Sequence, residues 1–391
     1  MVKYMGFSAG SQPRMLPILV SWILSMMLIT AQVSAAIFPE QPNLDASSYL
    51  LEDFNSGQIL AQKNADIRLP PASLTKIMTA YVVYRELASK HFTVNDLVTI
   101  SAKAWQTGGS KMFVEAGKQV RMEDLIKGMI IQSGNDASVA LAEYVGGTED
   151  NFIKMMNQHA ARLGMTNTHF ENSMGLPVDN HYTTARDLVI LTRALISEFP
   201  EYYRWDSQKE FTYNKITQQN RNKLLWRDNS VDGVKTGFTD AAGYCMVASA
   251  KRNDMRLISV VMGTKSPDAR ANESQALLNY GFQFYETNRL YPARKILKTA
   301  KVWSGNGQAL QLGLAEDLYV TILRRHQPEL TAQISVNPHI NAPVFQGKNY
   351  GALTVSFAGA VLVNRPLIGL NNVNSGNFFQ RLYDKITLMM E

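Results

Sequence analysis

Cysteine is almost absent from this sequence: Cys245 is the single one in 391 residues. A chain with one cysteine has no internal disulfide, so its folded state rests on the apolar core alone. Cys245 lies in the apolar run GYCMVASA, and none of the six histidines is close to it along the chain. That setting reads as a small buried side chain, not as a catalytic thiol. Dense Lys/Arg tracts are also missing, and the formal net charge is only +6. The electrostatic footprint of a nucleic-acid-binding protein is therefore lacking, although a mildly basic surface still suits an anionic membrane face or polymer. No fixed-period repeat occurs, which argues against a solenoid or array. With 46% hydrophobic and 18% charged residues, the chain is expected to form cores, and its length suits two domains.

The apolar stretch LPILVSWILSMMLI (16–29) falls short of a full bilayer span. Lys3 and Arg14 precede it and the small-residue segment QVSAA (32–36) follows. This three-part pattern predicts a signal peptide over 1–36 and an exported protein, with an uncleaved anchor as the alternative. No cysteine stands at the cleavage site, which argues against a lipid-modified N-terminus.

Beyond the leader, SYLLEDFNSGQILAQKNA (48–65) predicts a hairpin around Asn55-Ser56-Gly57. After Pro70-Pro71, SLTKIMTAYVVYREL (73–87) predicts an apolar helix that buries Ile77, Met78, Tyr81, Val82 and Leu87. A further helix is expected in SVALAEYV (138–145), and Thr184 with Asp187 forms a capping-box start for another. From about 210 to 263 the pattern turns to strands, and a long helix follows over 266–286. Helices in the middle with strands at both ends suggest an α+β unit, a sheet covered by helices, over 37–290. Residues 291–374 carry short β-rich runs (AKVW, LYVTIL, ALTVSFAGAVLV) broken by Gly, Asn and Pro, the pattern of a small all-β domain. In the tail (375–391), Phe378, Phe379, Leu382, Tyr383, Ile386 and Met390 recur at helical spacing. This predicts an amphipathic helix, either docked on the β-domain or lying in a membrane interface.

Three short motifs carry chemistry. Ser73 and Lys76 stand at i and i+3 at a helix start, on one face. A lysine that loses its proton in a desolvated cleft can activate that serine, and the helix N-terminus favours developing negative charge. Ser-x-x-Lys alone is weak, because composition predicts about one chance match in a chain of this length. Ser133-Gly134-Asn135 sits between two helical stretches, where a loop can offer a hydroxyl and an amide to a cleft; the same tripeptide recurs at 304–306 and 375–377, far from any base in sequence. Lys235-Thr236-Gly237 adds a cation, a hydroxyl and a glycine that lets a ligand backbone approach a strand edge. Taken singly, each triplet also fits a cap, a turn or a solvated strand charge.

Together, in this order and on these elements, the motifs resemble the penicillin-recognising serine acyl-transferases. The flanking text (PASLTKIMTAYVV, QSGNDASVALAEYV, QQNRNKLLW, VDGVKTGFTDAAGY) is similar to the low-molecular-mass penicillin-binding proteins that are D-alanyl-D-alanine carboxypeptidases, peptidase family S11, of the two-domain type. The resemblance spans essentially 40–391. It implies a β-lactamase/transpeptidase-like α+β domain with an antiparallel sheet, then a small all-β domain and a C-terminal amphipathic helix. It implies Ser73 as the acyl-forming nucleophile, Lys76 as its base, Ser133 as a proton relay to the leaving D-alanine, and Asn135 as a holder of the substrate amide. Lys235 and Thr236 would orient the relay and the terminal carboxylate, beside Gly237. The main-chain N–H groups of Ser73 and Phe238 would form the oxyanion hole, and Arg221 and Arg270 are candidate carboxylate-side cations whose alternative is surface salt-bridging. No metal or cofactor is implied. The expected partners are peptidoglycan stem peptides, β-lactams as covalent inhibitors, and the inner-membrane lipid surface at its periplasmic face through the tail helix.

Two departures stand out. Many relatives carry histidine after Lys-Thr-Gly, where this chain has Phe238, and AWQTGGSKMFVEAG (104–117) is shorter than the corresponding loop in many of them. A β-lactamase, a peptidoglycan endopeptidase and a catalytically weak peptidoglycan-binding scaffold are the alternatives. The first is disfavoured because the sequence shows no clear Glu-x-x-Leu-Asn element for fast deacylation.

Overall fold

The computed structural model describes residues 39–390; the signal-peptide expectation falls outside the described residues. Strands β1 (Ser48–Asp53) and β2 (Ile59–Lys63) form the expected hairpin. Gly57 takes φ +75° in its turn, a left-handed conformation that glycine adopts without a Cβ clash. Helices α1 (Thr75–Ala88), α2 (Met122–Ile131), α3 (Asn135–Gly146), α4 (Glu149–Leu163) and α5 (Ala185–Glu198) follow. The chain then returns to strands β3 (Val231–Thr239), β4 (Gly243–Arg252) and β5 (Met255–Thr264), and closes the unit with α6 (Pro267–Phe284). The sheet order is β2-β1-β5-β4-β3, antiparallel throughout, so the first strands of the unit pair with its last and β3 lies at an edge.

Period-two alternation explains why the strands read as nearly continuous apolar runs. Along β5, Ile258 and Val260 join the core beneath the helical layer, while Leu257 and Val261 join the core beneath α6. A sheet covered on both faces needs apolar residues at both parities. The helical layer is centred on α1, buried on nearly every side, including Ile77, Met78, Tyr81, Val82 and Leu87. Cys245 is buried in that same core, and burial pushes its thiol up to about 11, which keeps it an unreactive thiol. Thr184 caps α5 by accepting from Asp187 N–H at 3.1 Å. The reciprocal half of a capping box does not form, because the Asp187 carboxylate accepts from Asn167 N–H and the Thr168 hydroxyl instead.

The long helix ends at Phe284, two residues before the expected 286. Strand β6 (Tyr285–Tyr291) follows without a break and pairs with β9 (Leu318–Leu323), so it runs across the 290/291 division expected from the sequence. Its residues YETNRLY carry aromatic and β-branched side chains that suit a strand once a partner is present. Strands β7 (Lys298–Ala300), β8 (Leu310–Gly313), β10 (Leu330–Val336), β11 (Asn349–Phe357) and β12 (Ala360–Gly369) form a second sheet in the order β7-β8-β12-β11-β10. The two units touch at the β1–β2 turn: the Thr287 hydroxyl donates to Asp53 at 2.6 Å, and the Ser56 and Thr321 hydroxyls lie 2.6 Å apart.

The tail helix α7 (Phe378–Met390) buries none of its residues. It meets the β-domain through a polar group, since the Asp384 carboxylate accepts from Ser304 N–H at 2.6 Å. Phe378, Phe379, Leu382, Tyr383, Ile386 and Met390 are all exposed, so the apolar face is not what docks. Among the described residues, no helix is long and apolar enough to cross a membrane.

Candidate active site

Ser73 lies in a 3-10 turn, Ala72–Leu74, that runs directly into α1. The turn is tight: Ala72 takes φ +48°, an uncommon conformation for a residue with a side chain. Gly175, at φ +90°, packs against it so closely that a Cβ there would overlap the Ala72 carbonyl. On the other side, a Cβ on Gly237 would stand 3.2 Å from the Pro71 carbonyl oxygen. Close backbone packing from two directions therefore fixes where the Ser73 hydroxyl projects.

Lys76 is 1% exposed, and its Nζ reaches Ser73 Oγ at 3.1 Å, Asn135 Oδ1 at 2.8 Å and the Met174 carbonyl at 2.6 Å. Burial first, and then the nearby Arg221 charge, bring its pKa down to about 7, with Asp136 opposing. The geometry follows through to chemistry. A neutral amine has two N–H bonds and one lone pair; the two carbonyl oxygens accept the N–H bonds, which leaves the lone pair for the Ser73 hydroxyl.

Ser133 takes φ +68° at the end of the loop before α3, and its buried Oγ has no hydrogen-bond partner among the described residues. Asn135 opens α3; its Nδ2 donates to the Gly108 carbonyl at 2.7 Å while its Oδ1 serves Lys76. Its neighbour Asp136 holds the adjoining loop, accepting from the N–H groups of Met112 at 3.0 Å, Phe113 at 2.9 Å and Val114 at 3.3 Å.

Lys235 and Thr236 are buried on β3, the edge strand whose free side faces this cleft. Burial, then Lys76, Arg221 and Arg270, hold the Lys235 pKa well below that of an ordinary lysine, and Asp206 opposes. Arg270, from α6, donates to the Gly237 carbonyl at 2.9 Å. Neither Arg270 nor Arg221 forms a salt bridge among the described residues, so the salt-bridging alternative has no partner to support it. Arg221 and Arg270 line a groove of about 620 Å³ with Asn220 and the half-exposed Trp226. Phe238 is 45% exposed and stacks on Tyr244, ring centroids 4.2 Å apart; the Arg270 guanidinium lies 5.5 Å from the other ring.

All the residues singled out from the sequence thus belong to one neighbourhood, built from the α1 turn, the α3 loop, β3 and α6. Sequence reasoning missed several supports. Asp136 is one; it is visible in the text only as the letter after Ser-Gly-Asn. His181 is another: its Nδ1 accepts from Glu171 N–H at 3.1 Å, so the neutral ring donates from Nε2 to Thr75 Oγ1 at 2.8 Å. Burial pushes His181 down to about 4, which keeps the ring neutral under the nucleophile turn. The two extra Ser-Gly-Asn tripeptides are explained as well. Gly305 and Ser375 bridge antiparallel, and a Cβ on Gly376 would overlap the Gly305 carbonyl, so the two copies pair with each other in the β-domain.

A lysine-paired serine at a helix start, an Asn-bearing loop and a Lys-Thr-Gly edge strand over a helix-covered antiparallel sheet define a serine acyl-transfer enzyme of the penicillin-binding class. The chain belongs to the D-alanyl-D-alanine carboxypeptidase family S11, which it matches over residues 35–266, and carries a penicillin-binding protein 5 C-terminal domain over 285–375. It is 45% identical over 357 residues to the D-alanyl-D-alanine carboxypeptidase DacC of Escherichia coli K12, covering 89% of each chain. Among solved structures, it resembles penicillin binding protein 5 from Haemophilus influenzae at a TM-score of 0.83 and 40% identity, over 86% of this chain and 100% of that one. It also resembles the ampicillin-bound form of penicillin-binding protein D2 from Listeria monocytogenes, at a TM-score of 0.58 and 30% identity, over 62% of this chain and 100% of that one.

Proposed function

We propose that this serine-type D-alanyl-D-alanine carboxypeptidase removes the terminal D-alanine of peptidoglycan stem pentapeptides through an acyl enzyme on Ser73. The observation that carries the reading is the buried Lys76 Nζ, 3.1 Å from Ser73 Oγ, with its pKa brought to about 7. Neutral Lys76 takes the hydroxyl proton as Ser73 Oγ attacks the penultimate carbonyl carbon. The N–H groups of Ser73 and Phe238 hold the oxyanion that forms. As the intermediate collapses, the C–N bond breaks and Ser133, whose buried Oγ has no partner among the described residues, gives its proton to the departing D-alanine nitrogen and takes up the one that Lys76 holds, which returns Lys76 to its neutral form. Asn135 orients the substrate amide. Thr236, Lys235, Arg221 and Arg270 form the cationic end of the cleft that receives the terminal carboxylate, with Gly237 letting the peptide approach the strand. Water then attacks the ester, with Lys76 again the base, and frees Ser73.

A β-lactam follows the same first step, but the nitrogen released from the ring stays tethered and blocks the water. The leader at 1–36 directs export, the unit from residue 37 through α6 is the catalytic domain, the unit from β6 to residue 374 is the β-rich domain, and 375–391 rests on the periplasmic face of the inner membrane through its apolar side chains. Mass spectrometry of the penicillin-treated protein tests the site. A single adduct on Ser73, together with D-alanine release from a D-Ala-D-Ala peptide, is expected; an adduct elsewhere, or no release at any pH, would overturn the assignment.

A further inference from the structure

Glu149 has no place in the chemistry above, yet it is a buried carboxylate at the start of α4, 6% exposed, with both oxygens engaged. Its Oε1 accepts from the Ser173 N–H at 3.1 Å and from the Ser173 hydroxyl at 2.7 Å. Its Oε2 pairs at 2.7 Å with Lys103 Nζ, from the short helix Ala102–Gln106. Burial pushes the Glu149 pKa up, but the hydrogen bonds from Lys103 and Ser173 more than offset this and leave it below that of an ordinary glutamate. Burying a carboxylate is unfavourable unless hydrogen bonds satisfy it, so the groups that Glu149 holds are informative.

Ser173 precedes Met174, whose carbonyl accepts from Lys76 Nζ at 2.6 Å. Residues 173–175 belong to no helix or strand, so side chains must partner their backbone groups. From α1, Thr79 Oγ1 donates to the Ser173 carbonyl at 2.6 Å. Asn172 Oδ1 accepts from the N–H groups of Met174 at 3.2 Å and Gly175 at 2.6 Å. Lys76 and Thr79 tie the segment to the helix of the nucleophile, and Asn172 belongs to the same loop. Among the described residues, Glu149 is the side chain whose hydrogen bonds anchor 173–175 to a separate element, α4. We propose that Glu149 is a positioning residue for the general base: it pins this segment so that the Met174 carbonyl takes one N–H of Lys76 and the amine lone pair stays aimed at Ser73 Oγ. The inference rests on the reading of Lys76 as the base for Ser73. Without the pin, the carbonyl is free to withdraw and the amine to turn, which slows proton transfer while the groups that bind substrate stay in place.

The test uses the full chain with Glu149→Ala, Glu149→Gln and Ser173→Ala. Acylation by penicillin is followed by stopped flow over a range of drug concentrations, which separates the dissociation constant of the first complex from the acylation rate constant at saturation. Thermal unfolding is measured beside it. In Glu149→Ala the rate constant is expected to fall at least about tenfold with the dissociation constant within about twofold of the parent's. The Gln side chain keeps an oxygen for Ser173 and loses only the Lys103 ion pair, so it is expected to recover the rate constant to within about threefold of the parent's. Ser173→Ala keeps its N–H bond to Glu149 and is expected to lose about threefold. A folded Glu149→Ala variant with the parent's rate constant would overturn the role, as would equal losses in binding and rate, or a Gln variant as slow as Ala. If Glu149→Ala does not fold, Ser173→Ala decides, and the parent's rate constant there would overturn the role. A parent that forms no penicillin adduct on Ser73 would instead remove the reading of Lys76 as its base, so the two failures are distinct.

Discussion

Two helices with similarly apolar sequences meet opposite fates in this molecule. Helix α1 is enclosed by the sheet and four other helices, with Lys76 and Thr79 buried alongside its apolar residues. Helix α7 exposes its aromatic and aliphatic side chains, with Phe379 78% exposed, and hydrogen-bonds to the β-domain through Asp384. Apolar periodicity fixes that a helix has a face to hide; what hides it is decided elsewhere in the chain. In α1 the surrounding core is also what keeps a lysine neutral and so able to accept a proton, because burial removes the water that would stabilise its charge.

The largest expected effect breaks the polar part of α1. Lys76→Ala should slow acylation by penicillin about a thousandfold or more, measured as adduct formation by mass spectrometry. The pH dependence has a definite sign. Lys76 works as a base only when neutral, so acylation should rise as pH increases through about 7 and fall below it. Between about 7 and the ordinary 10.5, the unfolded chain carries the proton and the native lysine does not, so this group makes stability increase with pH across that window. Lys76→Met should flatten that slope in denaturant titrations.

Next comes a paired truncation that contrasts the two helices directly. Met78→Ala should cost about 2–5 kcal/mol in unfolding free energy, the range for emptying a closed core site. Leu382→Ala, on the open face of α7, should stay within about 0.5 kcal/mol. Deleting 375–391 should leave D-alanine release in solution within about twofold but lower binding to anionic vesicles at least tenfold; unchanged vesicle binding would show that α7 is no lipid anchor. The smallest effect is expected at another exposed aromatic. Phe238→His should change acylation less than about threefold, because the proposed oxyanion donor there is the main-chain N–H and the ring rests on Tyr244.

Much of this was legible in the sequence. The three motifs could be placed on a helix start, a loop and a strand because hydrophobic period and Gly/Pro punctuation are local signals. The supports were not legible. Asp136 and His181 act across 24 and 106 residues of chain, separations that no local pattern encodes, and their types are common in loops. The strand at Tyr285–Tyr291 was missed for a similar reason: its partner is Leu318–Leu323, beyond an intervening stretch of other structure, and before that partner exists the segment continues the helical pattern.

The packing around Ala72 has a consequence for adaptability. With Gly175 and Gly237 pressed against the turn that carries Ser73, hardly any side chain can be added there without moving the nucleophile. A lineage under antibiotic selection that must still trim its own cell wall therefore has little room to vary at the centre of this cleft. Discrimination between drug and substrate would have to evolve at the rim, at Phe238, Trp226 and the 104–117 segment, where exposed side chains can change while the buried frame stays as it is.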